Sequence, residues 1–86
     1  MRRHRKSVQF VTRRGCTICE AALERLQGAA RVLGVAVATV DVDADPALSE
    51  RFGGRVPVVL HGDGVVISEG PLTRSDAWRA ALKARR

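Results

Sequence analysis

The feature of this sequence that most constrains its fold is a pair of cysteines, Cys16 and Cys19, at the junction of two different hydrophobic patterns. Before the pair, Val8 to Thr12 is a short run rich in β-branched residues, which is typical of a strand. After it, from Cys16 to about Leu33, apolar residues recur every three or four positions, as in an amphipathic helix. The sequence therefore predicts a strand that leads directly into a helix, with a Cys-x-x-Cys motif in the first helical turn.

This spacing is suited to redox chemistry, because two cysteines three residues apart can close and reopen a disulfide without moving the backbone. Cys16 would lie at the helix N-terminus, where unpaired N–H groups and the helix dipole favour a thiolate. Arg13 and Arg14 add positive charge, which would lower the pKa of Cys16 further, toward the range of about 3.5 to 7.5 found for activated cysteines. Cys19, one turn deeper, is expected to be shielded and to react second.

Length and composition predict one small domain. The chain has 86 residues, of which 45% are apolar, and this allows a single core. We expect a domain over residues 8–84, preceded by a basic flexible arm at residues 1–7. No stretch approaches the length of a membrane span, and no long apolar run follows the basic N-terminus as in a secretion signal. A cytoplasmic protein is therefore expected, in which Cys-x-x-Cys is more often catalytic or metal-binding than structural.

The formal charge of +6 comes mostly from the two ends of the chain. A nucleic-acid partner is not expected, because such a role needs a basic face interleaved with aromatic residues, and the only aromatic residues are Phe10, Phe52 and Trp78. A basic surface would instead help to attract an acidic protein or an anionic thiol.

The first half of the chain continues with a predicted helix, strand and short helix. The apolar face of the first helix is predicted to consist of Ile18, Ala22, Leu26, Ala29 and Leu33. Gly34 is placed to end that helix in a left-handed conformation. Val35 to Val42 predicts a buried strand, parallel to the first. Asp45 and Pro46 predict the N-cap and first residue of a short helix that runs through Phe52.

The second half of the chain predicts a hairpin and a last helix. Val56 to Leu60 and Val65 to Ser68 are two strand patterns, joined by a glycine-rich turn, so they should be antiparallel. Thr73 and Asp76 have the spacing of a capping box, which starts the last helix. The apolar face of that helix is predicted to consist of Trp78, Ala81 and Leu82.

With these elements in this order, the chain resembles the thioredoxin fold and, within it, the glutaredoxin-like proteins. The resemblance covers about residues 8–84 and depends on two motifs, Thr12 to Cys19 and Arg55 to Val58. It is closest to the small glutaredoxin-like proteins that have a Gly-Cys-x-x-Cys and a Val-Pro-Val. It implies a three-layer α/β fold, with a four-stranded mixed sheet and helices on both faces.

The resemblance also implies a substrate site. In that family the proline matching Pro57 is cis and faces the sulfurs, and the residue matching Val56 offers its backbone to an extended substrate. The implied site residues around the two cysteines are Arg13, Arg14, Thr17, Val56, Pro57 and Gly70. Two departures concern glutathione and redox potential. Thr17 and Ile18 replace the usual proline and aromatic residue, and only Gly70 matches the residues that hold the γ-glutamyl end of glutathione.

The leading functional hypothesis is a thiol–disulfide oxidoreductase that acts on disulfides of proteins or on glutathione mixed disulfides. Cys16 would attack the substrate and Cys19 would resolve the mixed disulfide. We expect a monomer with no membrane partner and no cofactor other than glutathione as a co-substrate. A thiol reductant system would be its second partner.

Three alternatives remain open from the sequence. The cysteines could be idle, since a fold does not fix a function. The chain could be a binding module that presents the groove beside Pro57. It could also bind a metal or an iron–sulfur cluster through Cys16 and Cys19, but two thiolates need further ligands, from His4, His61, a second protomer or glutathione.

Overall fold

The structure of the protein, a computed structural model, describes residues 6–85. Its elements follow the predicted order: β1 (Ser7–Thr12), α1 (Thr17–Leu33), β2 (Ala36–Asp41), a 3₁₀ turn (Val42–Ala44), α2 (Pro46–Phe52), β3 (Val58–His61), β4 (Val66–Glu69) and α3 (Arg74–Arg85). Most of the arm predicted at residues 1–7 lies outside the described residues, while Ser7 is the first residue of β1.

The four strands form one mixed sheet in the order β2-β1-β3-β4. β1 and β2 are parallel, and β3 is antiparallel to both β1 and β4. The register pairs Val11 of β1 with Val58 of β3, and Val58 with Glu69 of β4. The ends of β1, β2 and β4 and the start of β3 therefore lie along one edge of the sheet, which we call the motif edge.

Both faces of the sheet carry a core, because successive strand side chains point to opposite sides. Val8, Phe10 and Val59 pack in the cluster that α1 and α3 cover. Val11, Val58 and Leu60 belong to the other cluster, which contains Phe52 of α2 and also Val42. The predicted three-layer architecture with helices on both faces is confirmed. No helix in this described part of the chain is long and apolar enough to cross a membrane.

The prediction that β2 is a buried strand is wrong. β2 is the outermost strand on one side of the sheet and pairs, among the described strands, with β1 alone. Its side chains are half-buried or exposed, and those of Ala38 and Thr39 are exposed. A run of β-branched and small apolar residues does not distinguish a central strand from an edge strand with small side chains.

Both predicted helix faces include a large residue that the structure leaves exposed. Ile18 in α1 is 53% exposed and Trp78 in α3 is 41% exposed. The buried face of α3 consists instead of alanines: Ala77, Ala80, Ala81 and Ala84. α1 and α3 pack against each other on the same side of the sheet, and small side chains allow that close approach where an indole would not fit.

The predicted helix ends are confirmed. Gly34 ends α1 with a positive φ of 73°, a conformation that glycine adopts without the steric cost of a Cβ. Asp45 caps α2 through its side chain, which accepts a hydrogen bond from the N–H of Ala47. At the start of α3, the backbone N–H of Thr73 donates to the Asp76 carboxylate, and the N–H of Asp76 donates to the Thr73 hydroxyl.

Candidate functional site

The loop between β1 and α1 brings the two cysteines to the motif edge. It turns at Gly15, which has a φ of +78°, and the N–H of Cys16 donates to the carbonyl of Arg13 at 3.3 Å. Cys16 then has extended backbone angles and is the N-cap of α1. The predicted position of the first sulfur at a helix N-terminus is confirmed.

Cys16 and Cys19 form a disulfide, with their Cα atoms 5.2 Å apart. Cys16 is half-buried, whereas Cys19 is 0% exposed, so the two sulfurs differ in access as predicted. The backbone N–H of Cys19 donates to Sγ of Cys16 at 3.1 Å. After reduction, the same N–H is placed to stabilise a thiolate on Cys16.

The second motif lies beside the first because β1 and β3 pair at the motif edge. The Val56–Pro57 peptide is cis, as the resemblance implies, and the Pro57 side chain is fully buried. Val56 is half-buried and packs, like Cys16, against the cluster under α1 and α3. Within residues 6–85, neither the N–H nor the C=O of Val56 has a backbone hydrogen-bond partner.

Gly70, a predicted substrate-binding residue, has a structural contact in this state. Its N–H donates to the carbonyl of Pro57 at 2.7 Å, which ties the end of β4 to the start of β3. That donor is therefore already satisfied within the chain.

Arg13 does not have the partner that the sequence analysis expected. Its guanidinium forms a two-pronged ion pair with Asp43, with Nε–Oδ2 and Nη2–Oδ1 distances of 2.9 and 3.0 Å. The hydrogen bond from Arg13 holds the pKa of Asp43 below its ordinary value, and the same bond raises the pKa of Arg13. Arg14 is exposed and forms no ion pair with another described residue. Of the two cations, Arg14 is thus the one without a carboxylate partner within residues 6–85.

Arg55, just before the cis peptide, connects α2 with β4. Its guanidinium donates to the carboxylate of Glu69 at 3.2 Å and to the backbone carbonyl of Arg51. It also lies over the Phe52 ring, 5.4 Å from the ring centroid. Sequence reasoning missed the partners Asp43 and Glu69, since they are 30 and 14 residues from their arginines and no local pattern connects them.

Of the two histidines proposed as ligands of a metal site, His61 lies far from the cysteines. His61 pairs with Val8, at the opposite end of β1 from Cys16, and the strand from Val8 to Thr12 alone spans about 13 Å. His4 lies outside the described residues. Among residues 6–85 there is no group of three or more His, Cys, Asp or Glu side chains that could hold a metal ion.

A comparison with protein families matches residues 7–83 to the family described as "Glutaredoxin-like domain (DUF836)". Curated relatives include uncharacterised proteins of Mycobacterium bovis and Mycobacterium tuberculosis. Each is 41% identical over 61 residues, which is 65% of this chain and 63% of the relative. The chain thus matches somewhat less than two thirds of the length of those relatives.

Solved structures are similar over nearly the whole chain. The X-ray structure of the structural-genomics target protein XcR50 from X. campestris is 31% identical in sequence with a TM-score of 0.69, covering 90% of this chain and 96% of that one. Thioredoxin 1 of Thermosipho africanus has a TM-score of 0.66 at 17% identity, covering 90% and 91% of the two chains. The second likeness shows the fold alone, which is that of thioredoxin.

Proposed function

Because this chain belongs to the glutaredoxin-like (DUF836) family, we propose that it is a thiol–disulfide oxidoreductase, with Cys16 as the nucleophile and Cys19 as the resolving cysteine. The observation that carries the proposal is the difference between the two sulfurs. Cys16 caps α1 and is partly accessible, while Cys19 is buried behind it and already bonded to it. In a dithiol with one accessible and one shielded sulfur, the accessible sulfur meets the substrate first and the shielded one reacts second, as disulfide exchange requires.

The reaction consists of two exchanges. The Cys16 thiolate attacks one sulfur of the substrate disulfide, a mixed disulfide forms, and the other substrate sulfur leaves as a thiolate that takes a proton from water. Cys19, deprotonated, then attacks Sγ of Cys16 and releases the second substrate thiol. The substrate has gained two electrons and two protons, and the Cys16–Cys19 pair is oxidised.

The surrounding residues support this chemistry in different ways. The free backbone groups of Val56 would pair with the extended substrate chain, as a short added strand. Arg14 and the N–H of Cys19 would stabilise the Cys16 thiolate. One chain contains both sulfurs, so a monomer suffices. In the cytoplasm, where we place the protein, a thiol reductant would return the pair to the dithiol.

The test is the reduction potential of the Cys16–Cys19 pair, measured by equilibrating the protein with glutathione redox buffers and trapping free thiols. We expect a two-electron transition between about −120 and −270 mV, the range of working dithiol catalysts. Cys19→Ser should instead stop at a mixed disulfide on Cys16, visible as added mass. Cys16→Ser should form neither product.

A pair that stays reduced in every buffer would refute the proposal. If the purified protein also carried zinc or an iron–sulfur cluster in stoichiometric amount, the metal-binding alternative would replace it. If the Cys16→Ser variant kept the full activity of the unchanged protein toward a partner protein, that result would favour the alternative in which the chain is a binding module.

A further inference from the structure

The charges around the sulfurs are balanced, although the chain as a whole is basic. Arg13 is neutralised by Asp43 and Arg55 by Glu69, both through direct ion pairs. Glu20, exposed in the first turn of α1, adds a carboxylate immediately after Cys19. The net charge of +6 is therefore not concentrated at the site.

This balance is unfavourable for glutathione, whose two carboxylates and one ammonium give it a net negative charge. To bind an arginine, a carboxylate of glutathione would have to displace Asp43 or Glu69 from it. If both acids stayed in place, their negative charges would repel the incoming carboxylate. The N–H of Gly70, the remaining match to a γ-glutamyl site, already donates to the Pro57 carbonyl. Arg14 is the one site arginine without a carboxylate partner among the described residues, and a single cation cannot hold both ends of the tripeptide.

The site also exposes an apolar side chain. Ile18 lies between the two cysteines and is 53% exposed, although the periodicity of α1 predicted it to be buried. It is two residues from the accessible sulfur, in the first helical turn. An apolar neighbour of the substrate cysteine that packed on this exposed aliphatic side chain would remove apolar surface from water, which is favourable.

From this placement we propose that Cys16 acts on disulfides of extended peptide segments in which an uncharged, apolar residue flanks the cysteine and packs on Ile18, in preference to glutathione mixed disulfides. The inference depends on the proposed function and specifies its substrate class. Val56 would bind the peptide backbone whatever its sequence, whereas Ile18 would select the side chain.

The experiment uses four probes with one leaving group. Each is a mixed disulfide with 2-nitro-5-thiobenzoate, formed from a different thiol: an acetylated and amidated tripeptide with cysteine between leucine and valine, the same tripeptide with two serines, glutathione, and mercaptoethanol. Cys16 of the reduced protein attacks the probe sulfur that comes from the peptide, glutathione or mercaptoethanol, and the coloured thionitrobenzoate leaves. The rate of its release gives the second-order rate constant. Comparing probes on one protein cancels any change in the reactivity of Cys16 itself.

We expect the apolar tripeptide to react about tenfold faster than the serine tripeptide and than glutathione. Ile18→Ser should reduce that preference to about twofold or less, and Ile18→Leu should keep it. Val32→Ser is the matched control. Val32 is also an exposed aliphatic residue of α1, 72% exposed, but lies at the far end of the helix, so its replacement should leave every ratio unchanged.

The outcomes separate the two proposals. Equal rates for the apolar, serine and glutathione probes, or a preference that survives Ile18→Ser, would overturn the substrate class. The proposed oxidoreductase would still stand if the reaction with the mercaptoethanol disulfide ended in a Cys16–Cys19 disulfide. Faster reaction with glutathione than with either tripeptide would overturn it in favour of a glutathione site. If no probe reacted, the proposed function would fail and the substrate inference with it.

Discussion

Arg55 provides a stability prediction whose size follows from three contacts. Its exposed ion pair with Glu69 is worth about 0.2–1 kcal/mol. The guanidinium over the Phe52 ring adds about 0.5–1 kcal/mol. Its hydrogen bonds to the Arg51 carbonyl add about 0.5–1.5 kcal/mol. Arg55→Gln should therefore lower the free energy of unfolding by about 1–3.5 kcal/mol, which for a domain of this size means a decrease in Tm of about 4–8 °C per kcal/mol.

Arg51→Gln is the matched control. The Arg51 guanidinium also lies over Phe52, at 4.5 Å from the centroid, but among the described residues it forms no ion pair, and its backbone carbonyl survives the substitution. We expect a loss of about 0.5–1 kcal/mol for this variant. Glu69→Gln, which removes the ion pair of Arg55 alone, should cost about 0.2–1 kcal/mol.

The assay is urea unfolding of the oxidised protein, extrapolated linearly to water, at low and at high salt. High salt should reduce the effect of Glu69→Gln, because it screens an exposed ion pair. It should reduce the effect of Arg55→Gln less, since the contact with Phe52 and the carbonyl bonds remain. If Arg55→Gln and Arg51→Gln agreed within about 0.3 kcal/mol, Arg55 would not be connecting α2 with β4 as described.

Three further predictions concern the scaffold and can be checked by the same unfolding measurement. Leu26→Ala, at a site 0% exposed, should cost about 2–5 kcal/mol, and a loss below 1 would mean that the core closes around the gap. Gly28→Ala, inside α1 with open space for a Cβ, should raise the free energy of unfolding by about 0.5–1 kcal/mol. Gly34→Ala, at positive φ, should lower it by about 1–2 kcal/mol. A change of the same sign in both variants would contradict Gly34 as the end of α1. The hydrogen bond from the Thr73 N–H holds the pKa of Asp76 below its ordinary 3.8. The contribution of the Asp76 carboxylate to the free energy of unfolding is therefore fully present above pH 3.8 and is lost as the pH falls through the lowered pKa. Asp76→Asn should flatten the decline in stability with acid, and an unchanged acid limb would refute that linkage.

The sequence predicted those features of the fold that depend on neighbouring residues. The caps at Asp45 and at Thr73 with Asp76 involve groups two or three residues apart, and the left-handed Gly34 is a property of one residue and its helix. That the Val56–Pro57 motif lies beside the cysteines was not worked out from local patterns; it was implied by the resemblance to the glutaredoxin-like proteins.

Contacts between distant segments could not be predicted in the same way. The pairing of Arg13 with Asp43 depends on the turn after β2, and a charge pattern alone does not say which acid an arginine will meet. Periodicity assigned Ile18 and Trp78 to helix faces, but it gives no information on how far the neighbouring elements extend over each face. Reasoning from local patterns therefore predicted the positions of the two sulfurs at the start of α1, but not which acids pair with the arginines around them.

The antiparallel ladder between β1 and β3 has a consequence for how the site could be divided. The sulfurs belong to the first half of the chain and the Val56–Pro57 turn to the second, and hydrogen bonds between two central strands hold the halves in register. The covalent link between the halves passes through the exposed residues Asp43 to Asp45. A chain cut there would leave the proposed nucleophile, Cys16, in one fragment and the backbone of Val56, proposed to pair with the substrate, in the other, so that disulfide exchange would serve as a reporter of fragment reassembly.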